Sequence, residues 1–176
     1  MPQFAISTLT ISNNAFVDPD APQQYNDDTH SNRGVLAFAE ALRGHKTITS
    51  LDISENNLGC KGQSGLVALA GAVCEGRIVT LDVSNNAILG VKGVRYDAIK
   101  AISHGISTPS GTRLEDLRIA NNNLHATAVC FLGIKLVDTT LRHLDISENS
   151  IGVDSLERRS AAGMKVRQTS GGARSD

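Results

Sequence analysis

The sequence predicts an α/β solenoid of about five strand–turn–helix units, with a curved parallel sheet on its concave side and helices on its convex side. Three observations predict it. One phrase recurs five times: an aliphatic residue, two residues, a leucine, one residue, a β-branched residue, two residues, an asparagine, one residue and an apolar residue. It reads Ile6-Leu9-Ile11-Asn14-Phe16, Ile48-Leu51-Ile53-Asn56-Leu58, Ile78-Leu81-Val83-Asn86-Ile88, Leu114-Leu117-Ile119-Asn122-Leu124 and Leu141-Leu144-Ile146-Asn149-Ile151. The pentapeptide Asp-Ile-Ser-Glu-Asn occurs twice, at Asp52–Asn56 and Asp145–Asn149. Between the phrases the apolar spacing changes from two to helical. A phrase returning roughly every 30 residues marks stacked repeats, since one unit cannot bury its apolar face alone.

The units can be justified in order. In the first, Leu9 and Ile11 alternate with Thr8, Thr10 and Ser12, which gives a strand with one apolar face. Val17–Ser31 follows, rich in Asp, Pro, Gln and Asn, and reads as a surface loop. Val35, Leu36, Ala39 and Leu42 then share a helical face. The second unit pairs the strand around Leu51 with a helix carrying Leu66, Leu69, Ala70 and Val73. Gly59-Cys60-Lys61-Gly62 makes the turn between them. In the third, Gly90-Val91-Lys92-Gly93 leads to a helix with Ile99, Ile102 and Ile106. Its extra length falls at Ser107–Thr112, a turn-forming string. The fourth unit is the tightest, and its helix, with Val129, Leu132 and Leu136, must fit between about His125 and Val137. The fifth offers Val153, Leu156, Ala161, Ala162 and Met164 for a last helix, with no sixth strand after it. One domain over residues 1–168 is expected, with a Gly/Ser-rich disordered tail over 169–176. The open ends of the solenoid are expected to meet a partner, flanking repeats or the last helix acting as a cap.

Each asparagine follows its strand, where the chain must leave the sheet. Its amide donates and accepts, so it can satisfy turn backbone that would otherwise be buried unpaired. Asn14, Asn56, Asn86, Asn122 and Asn149 are therefore expected to form a structural ladder.

The phrase, its period and the helices between its copies resemble those of leucine-rich repeat proteins. The length of the helices resembles the ribonuclease-inhibitor-like subclass. This resemblance implies a binding scaffold and carries little about the partner, because such scaffolds serve many roles. The scaffold is also similar to that of Ran GTPase-activating proteins, with no motif of theirs matched beyond the repeat itself. The chain has fewer cysteines and aromatics than ribonuclease inhibitor, with no Trp, two Tyr and four Phe, so the tight binding of that protein is not implied.

Composition narrows the classes. The net formal charge of −1 gives no overall drive toward nucleic acid or anionic membrane. No run of about 18 apolar residues occurs. The start, Met1–Ala5, lacks the basic and apolar pattern of a signal peptide. Three cysteines without close pairing, Cys60, Cys74 and Cys130, suggest reduced thiols and an intracellular, cytoplasmic setting. Cys74 and Cys130 read as small core residues that react slowly. No phosphate loop, nucleophile elbow or paired metal-ligand motif is present, so neither catalysis nor a cofactor or metal is expected.

Function is expected on the concave face. Its central outward row is Thr10, Asp52, Asp82, Arg118 and Asp145. The row before it is Thr8, Ser50, Thr80, Asp116 and His143, and the row after it is Ser12, Ser54, Ser84, Ala120 and Ser147. Asp116 and Asp145 are placed to flank Arg118, as a cross-strand ion pair or as part of a partner surface. The binding residues read from the sequence are Asp52, Asp82, Arg118, His143 and Asp145. The reading is a non-enzymatic protein–protein interaction scaffold. The alternatives are an enzyme regulator such as a GTPase activator, and a structural subunit of a large assembly.

Overall fold

The structure is a computed structural model and describes residues 5–20, 32–90, 95–107 and 113–152. Strand and helix alternate along the chain. The order is β1 (Thr8–Thr10), α1 (Arg33–Gly44), β2 (Ser50–Asp52), α2 (Ser64–Glu75), β3 (Thr80–Asp82), α3 (Asp97–Ile106), β4 (Asp116–Arg118), α4 (Ala126–Lys135) and β5 (His143–Asp145). The strands form one parallel sheet in sequence order. Equivalent residues stand side by side: Leu9, Leu51, Leu81, Leu117 and Leu144 occupy one register row. This is the α/β leucine-rich solenoid of about five units that the periodicity predicts.

Each strand is only three residues long, because the turn begins at once. The inward residues Leu51, Leu81 and Leu117 are buried, as are Ile53, Val83 and Ile119 behind them. They pack against Val35, Ala39 and Leu42 of α1, the Leu66, Leu69, Ala70 and Val73 face of α2, and Ile99, Ile102 and Ile106 of α3. Ala128 and Leu132 of α4 complete this core. Each fully buried aliphatic side chain contributes on the order of 1.5–3 kcal/mol. Leu36 and Val129 share the predicted faces but are only half-buried, since both lie on the outermost described helices. The fourth helix ends earlier than Leu136 and tightens into a 3-10 turn over Leu136–Asp138.

Close approach between units fixes Gly59. A Cβ on Gly59 would stand 2.0 Å from the Ala87 carbonyl oxygen, so only glycine fits there. Gly90, by contrast, is needed for its left-handed backbone at φ 74°.

Two buried polar side chains bridge units. The Gln63 amide donates to the Ile88 and Arg95 carbonyls and accepts from Ala98 N–H at 3.0 Å, which anchors the start of α3. His125 is buried, and its Nε2 lies 3.1 Å from the Tyr96 hydroxyl. Lys100 Nζ sits 5.0 Å from the Phe131 ring centroid beside this pair. Cys74 is half-buried against α3, and burial pushes its thiol up to about 11. Cys130 corrects the sequence reading: it is exposed on α4 rather than packed in the core. The apolar spacing of α4 runs all round the helix, and only its inner side meets the core. None of the three cysteines is in a disulfide.

The expected loop interior at 21–31, the turn string at 108–112, the last helix beyond Gly152 and the tail at 169–176 lie outside the described residues. No described helix is long and apolar enough to cross a membrane.

Candidate functional site

The open face of the sheet is built from side chains that alternate with the core leucines. Its central row runs Thr10, Asp52, Asp82, Arg118, Asp145 across β1 to β5, in register. Read along the strand order, the charges are none, negative, negative, positive, negative. His143 is exposed on β5, in register with Asp116 on β4.

The three aspartates are not bare. Asp52 Oδ1 accepts from the Ser54 N–H at 3.0 Å and from its hydroxyl at 2.7 Å. Asp82 Oδ1 accepts from Ser84 N–H and Asp145 Oδ1 from Ser147 N–H, each at 2.9 Å. The recurring Asp-x-Ser of the sequence is thus a local clamp that orients each carboxylate. Hydrogen bonds from Ser147, with Arg118 and His143 nearby, hold the Asp145 carboxyl below the usual range. β4 has Arg118 and Ala120 in place of Asp and Ser. There the Ala120 N–H turns instead to Ser84 Oγ at 3.2 Å.

Arg118 forms its ion pair along its own strand, with Asp116 Oδ2 at 3.0 Å. The expected cross-strand pair with Asp145 is therefore replaced by the i,i+2 neighbour on the same face. Asp116 raises the Arg118 guanidinium further, with weaker help from Asp82 and Asp145. The Arg118 side chain is still 50% exposed, so most of its donors face outward. Asp116 Oδ1 is shielded from solvent and has no hydrogen-bond partner among the described residues.

The asparagines lie at the edge of this face. Asn56 Oδ1 accepts from Asn14 and Phe16 N–H, Asn86 Oδ1 from Asn56 and Leu58 N–H, Asn122 Oδ1 from Asn86 and Ile88 N–H, and Asn149 Oδ1 from Asn122 and Leu124 N–H. Their Nδ2 groups donate to carbonyls of their own and the preceding unit, as Asn86 does to Val83 and Ile53. Asn56, Asn86 and Asn122 are fully buried, Asn149 is half-buried and Asn14 is exposed.

The sequence places Glu55 and Glu148 just beyond the strands, but sequence reasoning missed the other residues on either side of these asparagines. Asn13, Glu55, Asn85, Asn121 and Glu148 precede them, and all have positive φ. Ala15, Asn57, Ala87 and Asn123 follow them in the same conformation. The left-handed backbone turns these side chains outward into a second polar row. Asn13, Glu55, Asn57 and Asn85 line an open depression of about 420 Å³. Asn121 Nδ2 donates to Asn85 Oδ1 at 2.5 Å along the row. The doublets Asn13-Asn14, Asn85-Asn86 and Asn121-Asn122 carried that signal, since asparagine tolerates this region better than most residues.

Among the described residues no group of His, Cys, Asp and Glu is placed to hold a metal ion.

The Leucine Rich repeat family profile matches residues 44–70 and 137–157, which include β2 and β5 with their asparagine turns. Five such units in one parallel sheet make the fold a leucine-rich repeat solenoid. Domains of this class are in general protein-interaction scaffolds without catalytic activity. No curated protein matches the chain.

Proposed function

We propose that the chain is a non-enzymatic protein-binding scaffold of the ribonuclease-inhibitor-like subclass, and that its open sheet face is the binding surface. Helices of 10–12 residues behind every described inner strand support the subclass. The observation that carries the binding face is its charge pattern on rigid strands. Asp52, Asp82 and Asp145 are held by their serines, and Arg118 stands among them half exposed. A partner that fits is a protein surface bearing basic and hydrogen-bonding groups, with one carboxylate to meet Arg118 and near enough to feel His143. Unpaired thiols fit a reducing, intracellular compartment.

The test is a comparative pull-down with quantitative mass spectrometry. Wild type is set against the triple change Asp52→Asn, Asp82→Asn and Asp145→Asn, with a matched circular-dichroism spectrum as the control for folding. Proteins retained by wild type should be lost by the triple variant, and added salt should weaken their retention because exposed charges are screened beyond about 8 Å. Equal retention by both chains sinks the open-face reading.

A further inference from the structure

The loops that return from the helices lay cations along the edge where the strands begin. Thr49, Val79, Glu115 and Arg142 are equivalent residues of successive units. Val79 N–H donates to the Thr49 carbonyl at 2.7 Å, and Glu115 to Val79 and Arg142 to Glu115 at 2.8 Å each. Arg77 and Arg113 stand two residues before this row, in neighbouring units, and Lys46 stands three residues before it. All three cations are exposed. Neighbouring strands lie about 4.8 Å apart, so this edge offers one long basic side chain at each of three adjacent steps.

The helices do not account for these cations. Arg43 and Lys135 lie in the last turns of α1 and α4, where the negative end of the helix dipole attracts positive charge. Lys46, Arg77 and Arg113 lie beyond the helix ends at Gly44, Glu75 and Ile106. Nor do the carboxylates of the same edge account for them. Glu75 pairs with Arg43 at 3.3 Å, and Glu115 with Arg142 at 3.2 Å. Lys46, Arg77 and Arg113 have no ion-pair partner among the described residues. Residues 108–112, which precede Arg113, contain no acidic residue. Around β2 and β3 the sign therefore changes along the strand, from Lys46 and Arg77 at its start to Asp52 and Asp82 at its end. A net formal charge of −1 conceals this separation.

We propose that this edge is a second binding surface, distinct from the open face, and that it takes an acidic protein segment laid across the starts of β2, β3 and β4. Like charges on adjacent steps oppose each other, and carboxylates of a bound segment offset that repulsion. Two features favour a protein segment over a nucleic acid. No Phe, Tyr or Trp occurs in the loops 45–49, 76–79 and 107–115, so no such ring stands there to stack a base. Glu75 and Glu115 also lie among the cations, and a continuous phosphate backbone would have to pass them. A protein segment can place a neutral residue there.

Fluorescence anisotropy on the full chain tests this, with a labelled peptide of alternating Glu and Ser as the probe. A single-stranded RNA and vesicles containing phosphatidylserine serve as comparators. Wild type should bind the peptide, and added salt should weaken the binding. The combined change Lys46→Glu, Arg77→Glu and Arg113→Glu should weaken it at least about tenfold, the scale of three exposed ion pairs. The combined change Asp52→Asn, Asp82→Asn and Asp145→Asn should bind the peptide at least as tightly as wild type, so failure of the open-face reading leaves this one standing. Glutamine replaces glutamate at the three basic positions if the charge-reversed chain loses its helical circular-dichroism signal. A wild type that does not bind the peptide overturns the proposal, and so does equal binding by the chain altered at the basic positions. Tighter binding of the RNA or the vesicles, lost in that same chain, overturns the assignment to a protein segment.

Discussion

Replacing Asn86 by alanine isolates the energetic role of the asparagine turn. Asn86 is fully buried at the centre of the solenoid. Its Oδ1 accepts from Asn56 N–H at 3.0 Å and Leu58 N–H at 3.3 Å. Its Nδ2 donates to the Ile53, Val83 and Ser84 carbonyls. The carbonyls of Ile53 and Val83 keep a second donor, from Asn56 and Asn122 respectively. The two amides have no such reserve, because alanine offers them no oxygen. Each buried group left unpaired costs about 1–3 kcal/mol, so Asn86→Ala should destabilise by roughly 2–5 kcal/mol. Asn14→Ala is the internal control. Asn14 is exposed, and its side chain donates to the Ile11 and Ser12 carbonyls but accepts from no described amide. Its loss should cost about 0.5–1 kcal/mol, the net value of an ordinary hydrogen bond. Urea titrations of both variants give the difference, and native-state hydrogen exchange should show the Asn56 and Leu58 amides losing protection in Asn86→Ala alone. If the two variants have the same midpoint, the ladder does not carry the stability assigned to it.

Three further outcomes follow from the contacts. Gln63→Ala should cost about 1–3 kcal/mol in urea, since it strands the Ala98 N–H beneath α3, whereas Gln63→Glu keeps that acceptor but places a charge in the core. A midpoint for Gln63→Ala equal to wild type would remove its anchoring role. Ser147→Ala should raise the Asp145 carboxyl toward the ordinary range, read by carboxyl carbon NMR. Because folding depresses this group, its contribution to stability is present above the ordinary carboxylate range and is lost as pH falls through the folded value. An unchanged titration in Ser147→Ala would show that the serine clamp is not the cause. Alkylation followed by mass spectrometry should find Cys130 modified first and Cys74 last, since burial raises the Cys74 thiol to about 11 and Cys130 is exposed. Equal rates would contradict that difference in burial.

The strands were legible because their signal is local. A period of two around Leu51, Leu81 and Leu117 fixes which side is buried, and the constant distance to the asparagine fixes where the turn begins. Partner choice was not local and was harder to read. Arg118 has carboxylates on its own strand and on both neighbouring strands, and geometry favours Asp116, which sequence order does not reveal. Gln63 and His125 look like surface residues in the sequence, but their partners lie 25–35 and 29 positions away. Cys130 failed for the opposite reason. Its apolar neighbours suggest a core, yet α4 buries only Ala128 and Leu132 fully, and Cys130 lies on its outer side. Glu55 and Glu148 were legible just beyond their strands, but the row joining them with Asn13, Asn85 and Asn121 was hidden because left-handed backbone is a property of the turn.

The repeat that builds the core also decides what the open face can offer. Each aspartate gives one oxygen to the serine two residues on, which leaves its second oxygen facing outward. The carboxylates are therefore oriented before any partner arrives, and less side-chain freedom is lost on binding than for free aspartates. Register then sets their spacing: Asp52 and Asp82 lie on adjacent strands about 4.8 Å apart, and Arg118 separates them from Asp145. Two like charges at that distance oppose each other, and nothing in the packing of the core requires them, since they sit on the far side of the sheet from it. Each carboxylate does accept the N–H of the serine two residues on, a bond that Thr10 does not make to Ser12 in β1. The acidic pair therefore serves the turn as well as the surface, and its charge is the part that the turn does not need, since a neutral side-chain oxygen would accept the same bonds.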